Sequence, residues 1–193
     1  MVNYPNKKKA TISITSSKPK HYTSHRGMSL EEDIGLSNEY YLIHNIASIY
    51  KKPTPIGIVK VDYKSGTIKE AYFKTPSTTD YNGIYKGKYI DFEAKETMVN
   101  SFPLANIHEH QIKHLDTISK MGGIGFLIVR FVKLEETYIL TNDKLQSFLK
   151  NNTRKSIPLE YFKKEGFKLE LKFNPRLNYI NIIDRILEGE LHE

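Results

Sequence analysis

The sequence predicts a mixed α/β domain, with one central β-sheet and helices on its faces. Three observations predict it. "IGFLIVRFVK" (124–133) is an almost unbroken apolar run, as a strand covered on both faces requires. "KYIDFEAKET" (88–97) alternates Ile90, Phe92 and Ala94 with Asp91, Glu93 and Lys95, the period of a strand. Segments with helical spacing, caps and stops lie on either side of these runs.

Taken in order, Ser29 followed by Glu32 reads as a capping box. It opens a helix expected to run to about Tyr50, with Leu42, Ile46 and Ile49 on its buried stripe. "KKPTP" stops it, because two prolines cannot continue a helix. "IGIVKVDYKSGTIKEAYFK" reads as a hairpin turning at Lys64-Ser65-Gly66. "TPSTTDYNGIYKGK" reads as loop or turn before the strand at 88–97. A helix is expected from about Ile107 to Met121, closed by Gly122-Gly123. After the apolar strand, "TYIL" can pair with it, and Asn142 or Asp143 can cap a short helix through "KLQSFLK". "PLEYFKK" reads as helix and "FKLELKF" as strand. Ile180, Ile183 and Leu187 give the last segment helical spacing. No repeat and no second-domain boundary is visible, so residues 28–193 read as one domain.

Composition narrows the function classes. The chain has 193 residues, enough for a real core. It has no cysteine, which excludes disulfides, cysteine zinc sites and thiol nucleophiles. No apolar run approaches the roughly 20 residues of a membrane helix, and "MVNYPNKKK" lacks a secretory apolar stretch. A cytoplasmic protein is expected. The net charge is +7, and Lys7, Lys8, Lys9, Lys18, Lys20 and Arg26 place +6 of it within residues 1–27, which contain no acid. A basic flexible arm on a near-neutral domain suits a polyanion, most simply nucleic acid, or serves as a solubilising tail.

The polar face of residues 88–97 carries the candidate chemistry. Phosphodiester hydrolysis needs an activated water and neutralised phosphate charge. Mg²⁺ supplies both and prefers carboxylate and water oxygens. Asp80 and Glu93 on adjacent strands can form its cradle. Lys95 lies on the Glu93 face about 6–7 Å along the strand. Glu-x-Lys alone is also a common cross-strand salt bridge. If Lys86-Gly87 is a two-residue hairpin loop, Asp80 falls opposite Glu93. If the stronger turn signal Asn82-Gly83 is used, Asp80 falls opposite Tyr85. Asp91 is the rival carboxylate, with a salt bridge or a supporting contact as its plainer role. His110 and His114 have a zinc-compatible spacing, with His108 nearby, but no third ligand is indicated. Gln111 lies on the apolar helix face with Leu115 and Ile118, where a cap or a backbone bond is its plainest role. Tyr72 and Phe73, between Lys69 and Lys74, can stack on a splayed base. Strand alternation predicts that at least one of them packs in the core.

Several stretches together resemble a known family. "HRGMSLEEDI", "KKPTPIGIV", "IKEAYFKTPSTTDYNGIYKGKYIDFEAKET", "SFPLANIHEHQI" and the Gly-Gly before the apolar strand resemble the RecU family of bacterial Holliday-junction resolvases, within the restriction-endonuclease-like PD-(D/E)xK superfamily. The resemblance runs from about Arg26 to the last helix. It implies a restriction-endonuclease-like sheet with a projecting stalk at roughly residues 60–80. It implies a homodimeric, metal-dependent endodeoxyribonuclease that cuts four-way DNA junctions symmetrically in recombination and repair, near the nucleoid. It implies Thr78, Asp80, Glu93 and Gln111 as ligands of Mg²⁺ or Mn²⁺, and Lys95 as the catalytic lysine. Tyr72, Phe73 and Lys74 fall in the family's DNA-contacting stalk. Arg26 matches an arginine linked to contact with a RecA-type recombinase, and branch-migration proteins are further expected partners. Thr79-Asp80 stands where the superfamily has Pro-Asp, and His25 where Asn is common. Two other readings stay open on the residues alone. One is a non-catalytic junction- or single-strand-binding and annealing protein that modulates a recombinase. The other is a zinc protein using the histidines.

Overall fold

The structure, a computed structural model, describes residues 29–74 and 78–189. The basic arm expected over residues 1–27, and Arg26 within it, lie outside the described residues. The elements in chain order are α1 (Leu30–Ile43), β1 (Ser48–Lys51), β2 (Ile56–Asp62), β3 (Thr67–Phe73), β4 (Tyr81–Tyr85), β5 (Lys88–Thr97), β6 (Ser101–Pro103), α2 (Glu109–Lys120), β7 (Ile124–Phe131), β8 (Glu136–Thr141), α3 (Asn142–Asn151), β9 (Ser156–Pro158), α4 (Leu159–Glu165), β10 (Phe167–Leu169) and α5 (Ile180–Leu187). Six strands form the central sheet in the order β1-β4-β5-β7-β8-β10. β5 and β7 are parallel, joined through α2, and the other neighbours are antiparallel. The expected mixed α/β architecture is therefore the one observed.

Every residue of β7 is buried, because alternate side chains feed two cores. Phe126 and Ile128 join Ile34, Tyr41 and Tyr179 on the face covered by α1 and α5. Leu127 and Val129 join Leu115, Phe148 and Phe162 under α2, α3 and α4. Ile90 and Phe92 of β5 point to the first core. By alternation, Asp91, Glu93 and Lys95 point to the α2 side.

The β4–β5 turn is Lys86-Gly87, with φ of 46° and 74°. These are the positive values that a tight two-residue hairpin turn needs. Residues 81–85, expected as loop or turn, are thus strand, and Tyr81 pairs with Phe92. Asn82-Gly83 is not a turn. A Cβ on Gly83 would sit 2.2 Å from Ser48 O, so the glycine admits β1 against β4. Register is reinforced by rings stacked across three strands. Tyr81 lies on Phe92 at 4.8 Å between centroids and 3° between planes, and Phe92 lies on Phe126 at 4.8 Å and 10°.

Three expectations are corrected. α1 keeps the Ser29–Glu32 capping box but ends at Ile43 rather than near Tyr50. Leu42 and Ile46 are exposed, while Ile49 is buried from β1. The true inner stripe is Leu30, Asp33, Ile34, Ser37, Asn38 and Tyr41. Its polar members are held by Arg130 (Nη2 to Asp33 Oδ2, 2.6 Å), Arg176 (Nε to Asp33 Oδ1, 2.9 Å), the Leu177 N–H (to Ser37 Oγ, 2.7 Å) and the Tyr179 hydroxyl (to Asn38 Oδ1). α3 takes Thr141 as its N-cap without a side-chain bond, and Asn142 Oδ1 instead accepts from Gln146 Nε2 at 3.1 Å. The strand expected over 167–173 stops at Leu169, which pairs with Thr137 near the start of β8, and only a Leu171–Leu177 bridge continues it.

β2 and β3 form a separate hairpin over Ile56–Phe73, exposed along nearly all its length. Residues 60–73 of the stalk expected at roughly 60–80 fall within it. Among the described residues, no helix is long and apolar enough to cross a membrane.

Candidate metal centre

Asp80 immediately precedes β4, and the Tyr81–Phe92 register sets it opposite Glu93. The Asp80 N–H donates to Glu93 Oε2 at 2.9 Å. Lys95 Nζ contacts Glu93 Oε1 and lies 3.8 Å from Asp80 Oδ2. The Lys86-Gly87 alternative thus holds, and Asp80, Glu93 and Lys95 converge at one point. The Glu93 side chain has no solvent exposure. Burial pushes its carboxyl from the usual 4.5 up to about 7, opposed by Lys95 and reinforced by Asp80. Asp80 is 36% exposed and opens on a cleft of about 250 Å³, lined also by Ser29, Glu31 and Glu96.

This donor set fits a hard divalent cation. It offers oxygen ligands, one carboxylate already dehydrated, and a Glu93 Oε1 that is buried against the lysine without a well-directed hydrogen bond. Gln111 is buried on α2, the helix over this side of the sheet. Its Oε1 accepts the His108 N–H at 3.0 Å, so it fills the capping role that its position suggested. A carbonyl oxygen keeps a second lone pair for a further partner. Thr78 is half-buried, with its hydroxyl 3.5 Å from Thr79 O.

Asp91 does not join the cluster. Its buried carboxylate is tied to Lys52 (Nζ to Oδ2, 2.8 Å), the Thr79 hydroxyl (on Oδ1), the Tyr89 hydroxyl (to Oδ2, 3.0 Å) and His114 (Nε2 to Oδ2, 3.2 Å). The salt-bridge role is the one observed. Lys52 and Tyr89 are residues that sequence reasoning missed. Only the long-range pairing of β1 with β4 brings Lys52 here, and no local signal marks it. The histidines separate: His114 turns to Asp91, and the His110 ring stacks on His108 at 5.3 Å. Among the described residues, no group of three or more His, Asp and Glu side chains is arranged to hold a metal.

On the hairpin, Tyr72 is 57% and Phe73 81% exposed. The expectation that one would pack in the core is corrected: both lie on a two-stranded sheet separate from the central one and join neither core. Tyr72 lies across Gly57 of β2, where an added Cβ would stand 2.3 Å from the ring. Lys74 is exposed beside them.

The family model described as Recombination protein U matches residues 25–185. A protein of Pediococcus pentosaceus named Holliday junction resolvase RecU is 52% identical over 97% of this chain and 98% of its own length. A protein of the same name from Bacillus thuringiensis is 49% identical over 96% and 98%. A solved structure of Hjc, a Holliday junction resolvase of Archaeoglobus fulgidus, superposes with a TM-score of 0.42 at 11% identity, over 72% of this chain and 92% of that one. On the family match and these identities, the chain belongs to the Recombination protein U (RecU) family.

Proposed function

We propose that this protein is a divalent-metal-dependent, structure-selective DNA endonuclease that resolves four-way junctions by symmetric cleavage during recombination and repair. The observation that carries the reading is the convergence of Asp80, Glu93 and Lys95, with Asp80 and Lys95 lining a partly open cleft and Glu93 buried against Lys95. The names of the relatives point to the same substrate.

Asp80 and Glu93, with Thr78 and Gln111 oxygens, would hold Mg²⁺ or Mn²⁺. The bound ion supplies Lewis acidity and a water of lowered pKa at the scissile phosphate. Lys95 sets a fixed positive charge beside the place where phosphate oxygens gain negative charge. Glu93 would orient Asp80 through the Asp80 N–H that it accepts. Tyr72 and Phe73 would stack on unpaired bases at the junction centre, and Lys74 would contact phosphate. A four-way junction has approximate two-fold symmetry, so a homodimer would present one site to each of two opposed strands. The basic residues 1–27 would add sequence-independent affinity that falls with salt. Arg26 would face a RecA-type recombinase, with branch-migration proteins as further partners. A protein with these roles would act in the cytoplasm at the nucleoid.

The test is a mobile synthetic four-way junction, incubated with and without Mg²⁺ and with the cuts mapped. Paired symmetric cuts that need the metal, and that fall at least about a hundredfold in Asp80→Asn while junction binding persists, are the expected result. Binding without any metal-dependent cut would identify a non-catalytic annealing protein instead.

A further inference from the structure

We propose that Lys52, Thr79 and Asp91 form a positioning clamp that sets Asp80 for metal binding; this rests on the site assignment above. None of the three is among the proposed ligands. The Asp91 carboxylate is wholly buried, with the Thr79 hydroxyl on one oxygen and Lys52, Tyr89 and His114 on the other. Lys52 Nζ also bonds Thr79 Oγ1 at 3.0 Å, closing a triangle. Thr79 directly precedes Asp80 in the chain.

The main chain of Asp80 is held by the same group. The Lys52 N–H donates to Asp80 O at 2.7 Å, while the Asp80 N–H goes to Glu93. Asp80 is therefore gripped on both its backbone groups, and the side chain before it is fixed by Asp91. Only its two side-chain torsions remain to place the carboxylate.

Stability alone does not account for this arrangement. Taking a carboxylate and an ammonium out of water costs about as much as their attraction returns, and apolar groups of similar size often serve a core as well. Positioning does account for it, because partners behind the ligands fix ligand orientation in metal sites. In sequence the clamp residues flank the exposed hairpin, Lys52 before β2 and Thr79 after β3.

The test compares Thr79→Val, which keeps the shape and loses the hydroxyl, with Thr79→Ser, which keeps the hydroxyl. Asp80→Asn is the reference. The readouts are Mn²⁺ binding to the DNA-free protein by calorimetry, single-turnover cleavage of a four-way junction, junction binding and melting temperature. Thr79→Val is expected to weaken Mn²⁺ binding and cleavage by about 10–100-fold with junction binding unchanged, and Thr79→Ser to recover most of both. Lys52→Met should act in the same direction as Thr79→Val. Wild-type Mn²⁺ binding and cleavage in Thr79→Val, even with a lower melting temperature, would overturn the clamp. So would equal losses in the Val and Ser variants. Normal cleavage by Asp80→Asn would instead overturn the site assignment on which the clamp rests.

Discussion

Glu93 accepts the backbone N–H of Asp80 at 2.9 Å, so one acid of the site orients the other through the main chain. The bond leaves the Asp80 carboxylate free to face the cleft, while Glu93 is kept from water. A buried acid with a single lysine against it is held for chemistry at some cost to stability.

That cost is measurable in metal-free protein. Gln at position 93 keeps the size and can still accept the Asp80 N–H. The folded state holds the Glu93 proton more tightly than the unfolded chain, because burial raises the carboxyl from 4.5 to about 7. Ionising it therefore removes stability as pH rises through about 7, and the loss is absent below 4.5. Calorimetry with a chelator present should find Glu93→Gln melting roughly 2–6 °C above wild type at pH 8. The gap should close toward pH 4.5. A variant less stable than wild type at pH 8 would contradict the account.

The hairpin residues should separate by mechanism. Tyr72 and Phe73 are exposed, so their replacement by Ala leaves the melting temperature unchanged. Each should weaken junction binding by about 1–3 kcal/mol without changing its salt dependence. Lys74→Ala should reduce the slope of log affinity against log salt by about one. Binding titrations at several salt concentrations decide this, and a Tyr72→Ala variant with wild-type affinity would exclude stacking.

The ring stack makes a stability prediction. Phe92 is wholly buried between Tyr81 and Phe126. Phe92→Ala should cost about 3–5 kcal/mol in urea denaturation. Tyr81→Phe, which keeps the ring, should cost less than about 1.5 kcal/mol. Similar losses for both would show that the stack itself contributes little.

The sequence made the central strands legible because their pattern is local. A continuous apolar run can only be covered on both faces, and the Lys86-Gly87 count brought Asp80 to Glu93. Asn82-Gly83 misled because its glycine answers a steric demand from β1, which is distant in sequence. The length of α1 misled for a related reason. Asp33, Ser37 and Asn38 face inward on bonds to Arg130, Arg176, Leu177 and Tyr179, so half of the buried stripe is polar and its apolar period is interrupted. Lys52 read as part of a helix stop, since nothing near it in the chain announces Asp91. Gln111 was visible as a buried polar residue, but the bond it makes depends on where the helix begins.

The β4–β5 hairpin also bears on how the molecule folds. Asp80, Glu93 and Lys95 lie within residues 80–95, around a two-residue turn. Closing so short a loop costs little chain entropy, and isolated hairpins form in about 1–10 μs. The parallel pairing of β5 with β7 must wait for the α2 crossover and is intrinsically slower. The three charged groups are thus expected to meet early, while Lys52 and His114 reach Asp91 through later long-range contacts. Pulse-labelled hydrogen exchange should protect the amides pairing β4 with β5 before those pairing β5 with β7. Simultaneous protection would mean that the centre and the sheet form in one step.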